Sequence, residues 1–265
     1  MQKKRVISLI ILLTFIGSYG FYKIKSPLAT KRPKITAIIP DIQVKRLEKE
    51  LFALKTQEEI LHFLQANQQF AQRFLAISSP SHEKEVASQL YNLVQDTAMH
   101  ALYQEVQKVF GDFSAIEQQL AQAFGYLRYY YPSFQIPQVT TFITGMGADL
   151  YVDQDLMVIG LDFFLGQDAA FRPQLPNYML NNYQPASIVP QLLLAIAKQF
   201  IQPAQQDYTL LSDMLAYGKA YYFTKALLPD IKDHLIIGYT EKQLADTKRN
   251  QHIVWEHFIA HKLLY

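Results

Sequence analysis

The amino-acid sequence predicts a mainly α fold of the α+β kind: a helical, bundle-like domain with a small antiparallel sheet of about three strands. Three observations lead there. Apolar residues recur at three- and four-residue steps through much of 41–131 and again through 187–265, the spacing that gives a helix one apolar face. One stretch, 139–161, is instead dense in β-branched and aromatic residues broken by short turn signals. Half of the 265 residues are hydrophobic, with 17 Phe and 17 Tyr, which is apolar surface enough for one well-packed core.

At the start, Lys3-Lys4-Arg5 precedes an apolar run from Val6 to Ile16, followed by Gly17, Ser18, Tyr19, Gly20, Phe21 and Tyr22. A basic region, a short apolar region and small residues at Ser18 and Gly20 predict an export signal over 1–22. It is either cleaved after Gly20 or retained as a short anchor over Val6–Tyr22, near the lower length limit for spanning a bilayer. A buried core helix is the third reading, and the flanking cations speak against it. Five more cations follow the segment, which departs from the usual retention of positive charge on the cytoplasmic side. Pro27, Pro33 and Pro40 make 23–40 a linker, leaving 41–265 as a single globular domain.

The helical elements follow in order. Val44, Leu47, Leu51 and Leu54 give the first apolar face. Ile60, Phe63 and Leu64 give the second, and Phe70, Phe74 and Leu75 the third. Val86, Leu90, Leu93 and Val94 define a fourth helix, and Ala98 to Phe110 a fifth. Ser114 and Glu117 have capping-box spacing. Ile116, Leu120, Phe124, Leu127 and Tyr131 then run down one face until Pro132 stops the helix. Strands are expected over Val139–Gly145, Asp149–Val152 and Leu156–Leu161, with Val152-Asp153-Gln154-Asp155-Leu156 as a hairpin connection. An irregular stretch, 162–183, contains Gly166, Pro173 and Pro176. Helices resume over Ser187–Gln202 and Tyr208–Leu228. Thr240 and Gln243 start a short helix by capping-box spacing. Asn250 is expected to cap a last one, with Val254, Trp255, Phe258 and Ile259 as its buried stripe.

Charge and composition exclude several functions. The eight Lys and Arg residues before position 35 face no acid, leaving 17 Lys+Arg against 23 Asp+Glu from Ile35 onward. Such an acidic body lacks the basic stripe that releases counterions from phosphates, so no nucleic-acid partner is expected. The absence of cysteine removes disulfides, thiolate catalysis and thiolate metal sites. Gly145, Gly147, Gly160 and Gly166 form no phosphate-binding loop. Ser187 and Ser212 lack a nucleophile-elbow context. His257 and His261 have ligand spacing but no following acid, and read as two surface histidines. Asp149, Asp153, Asp155 and Asp162 cluster around the hairpin, where turn chemistry explains Asp153 and Asp155. A cation site there is the weaker reading. Gly218, mid-helix, costs about 1 kcal/mol relative to alanine, so another backbone is expected to pack closely against it.

Thr141-Phe142-Ile143-Thr144-Gly145, Gly160-Leu161-Asp162-Phe163-Phe164-Leu165-Gly166, Leu175-Pro176-Asn177-Tyr178 and Ile188-Val189-Pro190 are segments that resemble the gliding-motility lipoprotein B (GldB) family. They continue with Leu210 to Lys219, Ile237-Gly238-Tyr239-Thr240-Glu241-Lys242-Gln243-Leu244, and the close at Asn250, Trp255 and Leu263-Leu264-Tyr265. Near the start, Val44-Lys45-Arg46-Leu47 and Leu51-Phe52 fit the family's entry helix, so the resemblance covers 41–265.

The resemblance implies an exported, envelope-attached protein of the gliding machinery and its associated protein-secretion system. It also implies a distant likeness to helical zinc peptidases without their metal site. In such a peptidase His-Glu-x-x-His would lie on the helix here occupied by Pro190 to Phe200, and a later ligand near Tyr217-Gly218. Neither segment offers a ligand or a base. The expectation is therefore a non-catalytic protein without cofactor or metal. It acts on envelope, motility or secretion partners and meets the membrane through its N-terminal segment. Without a lipobox cysteine it is not lipidated in the family's manner. The candidate signature surface is Gly160, Asp162, Gly166, Asp213, Tyr217, Gly218, Lys219, Gly238 and Tyr239. Two alternatives stay open. One is a divergent hydrolase with an unrecognised site. The other is a lipid- or small-molecule-binding module with a cavity lined by Phe163, Phe164 and Tyr222.

Overall fold

The structure, a computed structural model, describes Pro33, Ile35 and residues 39–201 and 208–265. The export signal and nearly all of the linker expected over 1–40 lie outside the described residues. Ile38–Tyr265 forms one compact unit, mainly α with a small sheet.

The chain enters through β1 (Lys45–Arg46) and α1 (Leu47–Ala53). Next come α2 (Gln57–Ala66), a π-helical turn (Phe70–Phe74), α3 (Pro80–Gln95), α4 (Thr97–Phe110) and α5 (Ser114–Tyr130). Local chemistry sets these boundaries. Thr56 and Glu59 close a capping box on α2. Ser79 caps α3 with Pro80 at its first position. Asp96 ends α3 and its carboxylate caps α4. The capping box expected at Ser114 and Glu117 does not form. Ser114 N donates to Asp112 Oδ1 at 2.9 Å, and Glu117 accepts from Val44 N at 2.9 Å. Glu117 thus fastens the incoming chain and leaves its own helix end to Asp112.

The sheet corrects the expected antiparallel, three-stranded one. It has four strands, β2 being Gln138–Phe142, β3 Leu150–Val152 and β4 Leu156–Gly160, in the order β1-β2-β4-β3. β1–β2 and β2–β4 are parallel, and the β3–β4 hairpin is antiparallel. The sequence conceals this because β1 is only two residues long and because β4 folds back between β2 and β3. A parallel strand covered on both faces carries an unbroken apolar run, and all five residues of β4 are buried. Phe70, Phe74 and Phe142 pack ring on ring, seating the π-helical turn on the sheet.

Charge also ties the entry strand down. Glu48 is fully buried, accepts from Arg46 Nε at 2.7 Å and from Thr141 Oγ1 at 2.5 Å. The Arg46 guanidinium lies over the Phe113 ring. A buried carboxylate is tolerated only when so paired.

After a 3₁₀ turn at Leu161–Phe164 and the short α6 (Asn177–Leu180), α7 (Ile188–Phe200) drives Val189, Leu192, Leu193, Ile196 and Ala197 into the core. Three helices complete the chain: α8 (Leu210–Leu227), α9 (Asp233–Ile237) and α10 (Glu241–Ala260). The Thr240–Gln243 capping box forms as expected, but the helix it starts is not short. α10 runs unbroken through Asn250, which caps nothing. No Pro or Gly interrupts 241–260, and helix growth is cooperative once nucleated. Nor is its stripe buried: α10 contains no buried residue, and Val254, Trp255 and Ile259 are exposed. Among the described residues no helix is long and apolar enough to cross a membrane.

Candidate functional site

Helical spacing splits α7 into two faces. Leu192, Leu193 and Ile196 enter the core, while Gln191, Leu194, Ala195 and Lys198, at i, i+3, i+4 and i+7, look the other way. Facing them across a cleft of about 630 Å³ is α8, with Asp213, Ala216, Tyr217 and Ala220. Asp149 and Leu150 at the start of β3 form a third wall, and Asn182 and Ile237 close it off. Small and apolar side chains make the floor. Lys198 and Asp213, both exposed, stand on facing helices, and neither has an ionic partner among the described residues.

The rim beside β3 is held by Asp162. This fully buried carboxylate accepts from Met146 N at 2.6 Å, from Thr144 N at 3.1 Å and from the Thr144 hydroxyl at 3.1 Å. Burial pushes its carboxyl above the usual carboxylate range, and those donors oppose the shift. The loop it clasps turns through Gly145 and Met146, both with φ of 63°. Gly160 is required beside it, because a Cβ there would strike the Ala148 carbonyl oxygen. The clasp delivers Asp149, whose carboxylate accepts from the Tyr183 hydroxyl at 2.8 Å and from Leu150 N at 2.7 Å. Burial, and then this bond to Asp149, holds the Tyr183 phenol far above its ordinary range. Gln191 Nε2 donates to Asn182 Oδ1 at 3.0 Å, and a Cβ on Gly238 would collide with the Asn182 side chain. Burial also raises the Tyr221 phenol, with neighbouring Tyr239 and Tyr217 adding to the shift.

The residues singled out from the sequence separate accordingly. Asp213 and Tyr217 lie on the cleft wall. Gly160 and Asp162 shape its rim from inside. Gly166, with φ of 103°, is a turn whose amide donates to the Tyr183 carbonyl at 3.2 Å. Gly238 is the left-handed cap of α9, and Tyr239 follows it at the surface. Lys219 is exposed on α8. Gly218 corrects the close packing expected of it: the residue is exposed, and a Cβ there would meet nothing within 4 Å. The helix simply bears an unfavourable residue at that point.

The other candidates find different places. Asp153 and Asp155 bond Arg73 at 2.6 and 3.0 Å, tying the hairpin to the π-helical turn. The four hairpin aspartates therefore serve three separate roles, and among the described residues no cluster of three or more potential metal ligands occurs. His257 and His261 lie near each other, exposed, at the end of α10. Phe163 and Phe164 pack on Tyr183, whereas Tyr222 is 71% exposed on α8. The three do not meet, which removes the reason for the aromatic cavity. Sequence reasoning missed Gln191, Leu194, Ala195, Lys198, Ala216 and Ala220 as cleft residues. The signal was present for α7, where they alternate with the core set at helical period.

The family model described as gliding motility protein GldB matches residues 29–265. No curated protein and no solved structure matches the chain. The chain belongs to the gliding motility protein GldB family.

Proposed function

We propose that this member of the gliding motility family acts by holding a partner protein in the α7–α8 cleft, without transforming it. The lipoprotein designation of the family suggests an envelope-associated protein, and we take the basic, apolar segment 1–22 as what directs it there. The observation that carries the reading is the composition of the two facing helices. Leu194, Ala195, Ala216 and Ala220 offer an apolar bed, and Lys198 and Asp213 offer one charge of each sign at its edges. A protruding partner segment with an apolar side chain between a basic and an acidic residue fits both features. The resemblance puts the ligand-bearing segments of a helical zinc peptidase at Pro190–Phe200 and near Tyr217-Gly218, which belong here to α7 and α8. That supports a body in which a peptidase-like cleft serves recognition.

The test is photo-cross-linking of the full chain in its own envelope. A benzophenone amino acid replaces Leu194 in the cleft or, as a control, exposed Gln89 on α3. A discrete adduct from position 194, absent from position 89 and lost when Ala216→Trp fills the cleft, is the expected result. Hydrolysis of a peptide by the purified chain that Asp213→Ala abolishes would overturn the reading.

A further inference from the structure

The last helix poses a separate question. α10 is 20 residues long and buries none of them, although Val254, Phe258, Trp255 and Ile259 fall within one arc of about 140°. Trp255 is 44% exposed and Ile259 65%. Lys248 and His252 stand on one border of that arc and His261 on the other, while Asp246 and Glu256 turn away from it. Charge is segregated along the helix: its first turns hold Glu241 and Asp246 beside Lys242, and cations are in excess only from Thr247 on. Residues 35–246 hold 14 Lys+Arg against 22 Asp+Glu, whereas 247–265 hold Lys248, Arg249 and Lys262 against Glu256 alone.

We infer that α10 is a membrane-surface helix, whose Trp255–Ile259 face rests on a bilayer rich in anionic lipid. Such a surface presents an apolar interior directly beneath a negative layer, complementary to an apolar arc edged by cations. A tryptophan with an apolar body and a polar N–H suits that boundary, as does Tyr265. A second copy is the poorer occupant, because self-pairing along this face would set the same cations against each other. The contact would hold the body flat on the membrane and is independent of the cleft reading.

Trp255 is the only tryptophan in the chain, so its fluorescence reports this helix alone. The full chain is reconstituted into phosphatidylcholine vesicles with or without phosphatidylglycerol, with bromine on the acyl chains. In anionic vesicles the Trp255 emission should shift to shorter wavelength and be quenched by bromine. Without anionic lipid, engagement should fall about a hundredfold, at about a factor of five for each of the three cations, and in Lys248→Glu/Lys262→Glu it should fall at least about 25-fold. Ile259→Asp should lose the quenching, and Glu256→Gln, on the side turned away from the arc, should keep it. Emission that stays water-like in both vesicles would overturn the proposal. So would Trp255 protection that follows chain concentration rather than lipid, which marks a second copy, or protection that only another protein confers.

Discussion

Two helices of similar pattern, α5 and α10, meet opposite fates. α5 carries Ile116, Leu120, Phe124 and Leu127 at helical spacing and buries seven of its 17 residues. α10 carries Val254, Trp255, Phe258 and Ile259 at the same spacing and buries none. Around α5 the chain is closed by long-range ties: Glu117 to Val44, Arg46 over Phe113, Glu48 to Thr141. Around α10, among the described residues, the ties are surface ion pairs such as Lys232–Glu241 at 2.6 Å, a bond from Asn181 Nδ2 to Gln243 Oε1 at 3.4 Å, and one backbone bond past its end, from Leu211 N to Leu264 O. The contrast teaches that periodicity shows that a face wants cover, and not what covers it. In α5 the cover is the chain itself. In α10 we assign it to the membrane.

Five substitutions can break or sharpen that contrast, beginning with the largest effect. Glu48→Ala strands Arg46 beside the sheet, and removing one partner of a buried pair should cost about 3–5 kcal/mol in denaturant unfolding. Leu120→Ala in α5 should cost about 2–5 kcal/mol, while Ile259→Ala should stay within about 0.5 kcal/mol. An equal loss at both would mean that α10 is packed within the chain. Asp162→Asn leaves the Met146 amide facing a donor and should cost about 1–3 kcal/mol.

Asp162 also sets a pH slope. Its folded pKa is raised, so the folded state holds that proton more tightly than the unfolded chain. The stability it contributes is present below the ordinary carboxylate value and is lost as pH rises through the raised one. Unfolding midpoints of the wild type and Asp162→Asn, compared from about pH 3 to about pH 7, should draw together as pH rises, because only the wild type loses this contribution. The smallest effect has the opposite sign: Gly218→Ala, at an open helical position, should stabilise by about 0.5–1 kcal/mol. A loss there would reveal a neighbour packed on that face.

Much of the fold was legible because local signals decide it. Caps and stops at Thr240, Gln243 and Pro132 act within one turn, and the Asp153–Asp155 connection acts within one hairpin. What escaped depends on distant partners. Glu117 was read as a capping residue because nothing in the sequence announces Val44 beside it. The parallel pairing of β2 with β4 needs a third strand to fold outside them. At the cleft, Asp213 and Tyr217 were found through the family resemblance. Ala216 and Ala220 were missed because small apolar residues carry no chemical mark until a facing helix makes them a floor. Gly160 and Asp162 stood among the nine residues of the candidate signature surface, and in the fold they shape the rim from within.

The most direct test of a recognition cleft is the motility of host cells whose only copy carries Ala216→Trp, with the protein present at its normal amount. The substitution fills the space between α7 and α8 and removes no polar group. The account predicts that motility is lost. Undiminished motility would contradict it.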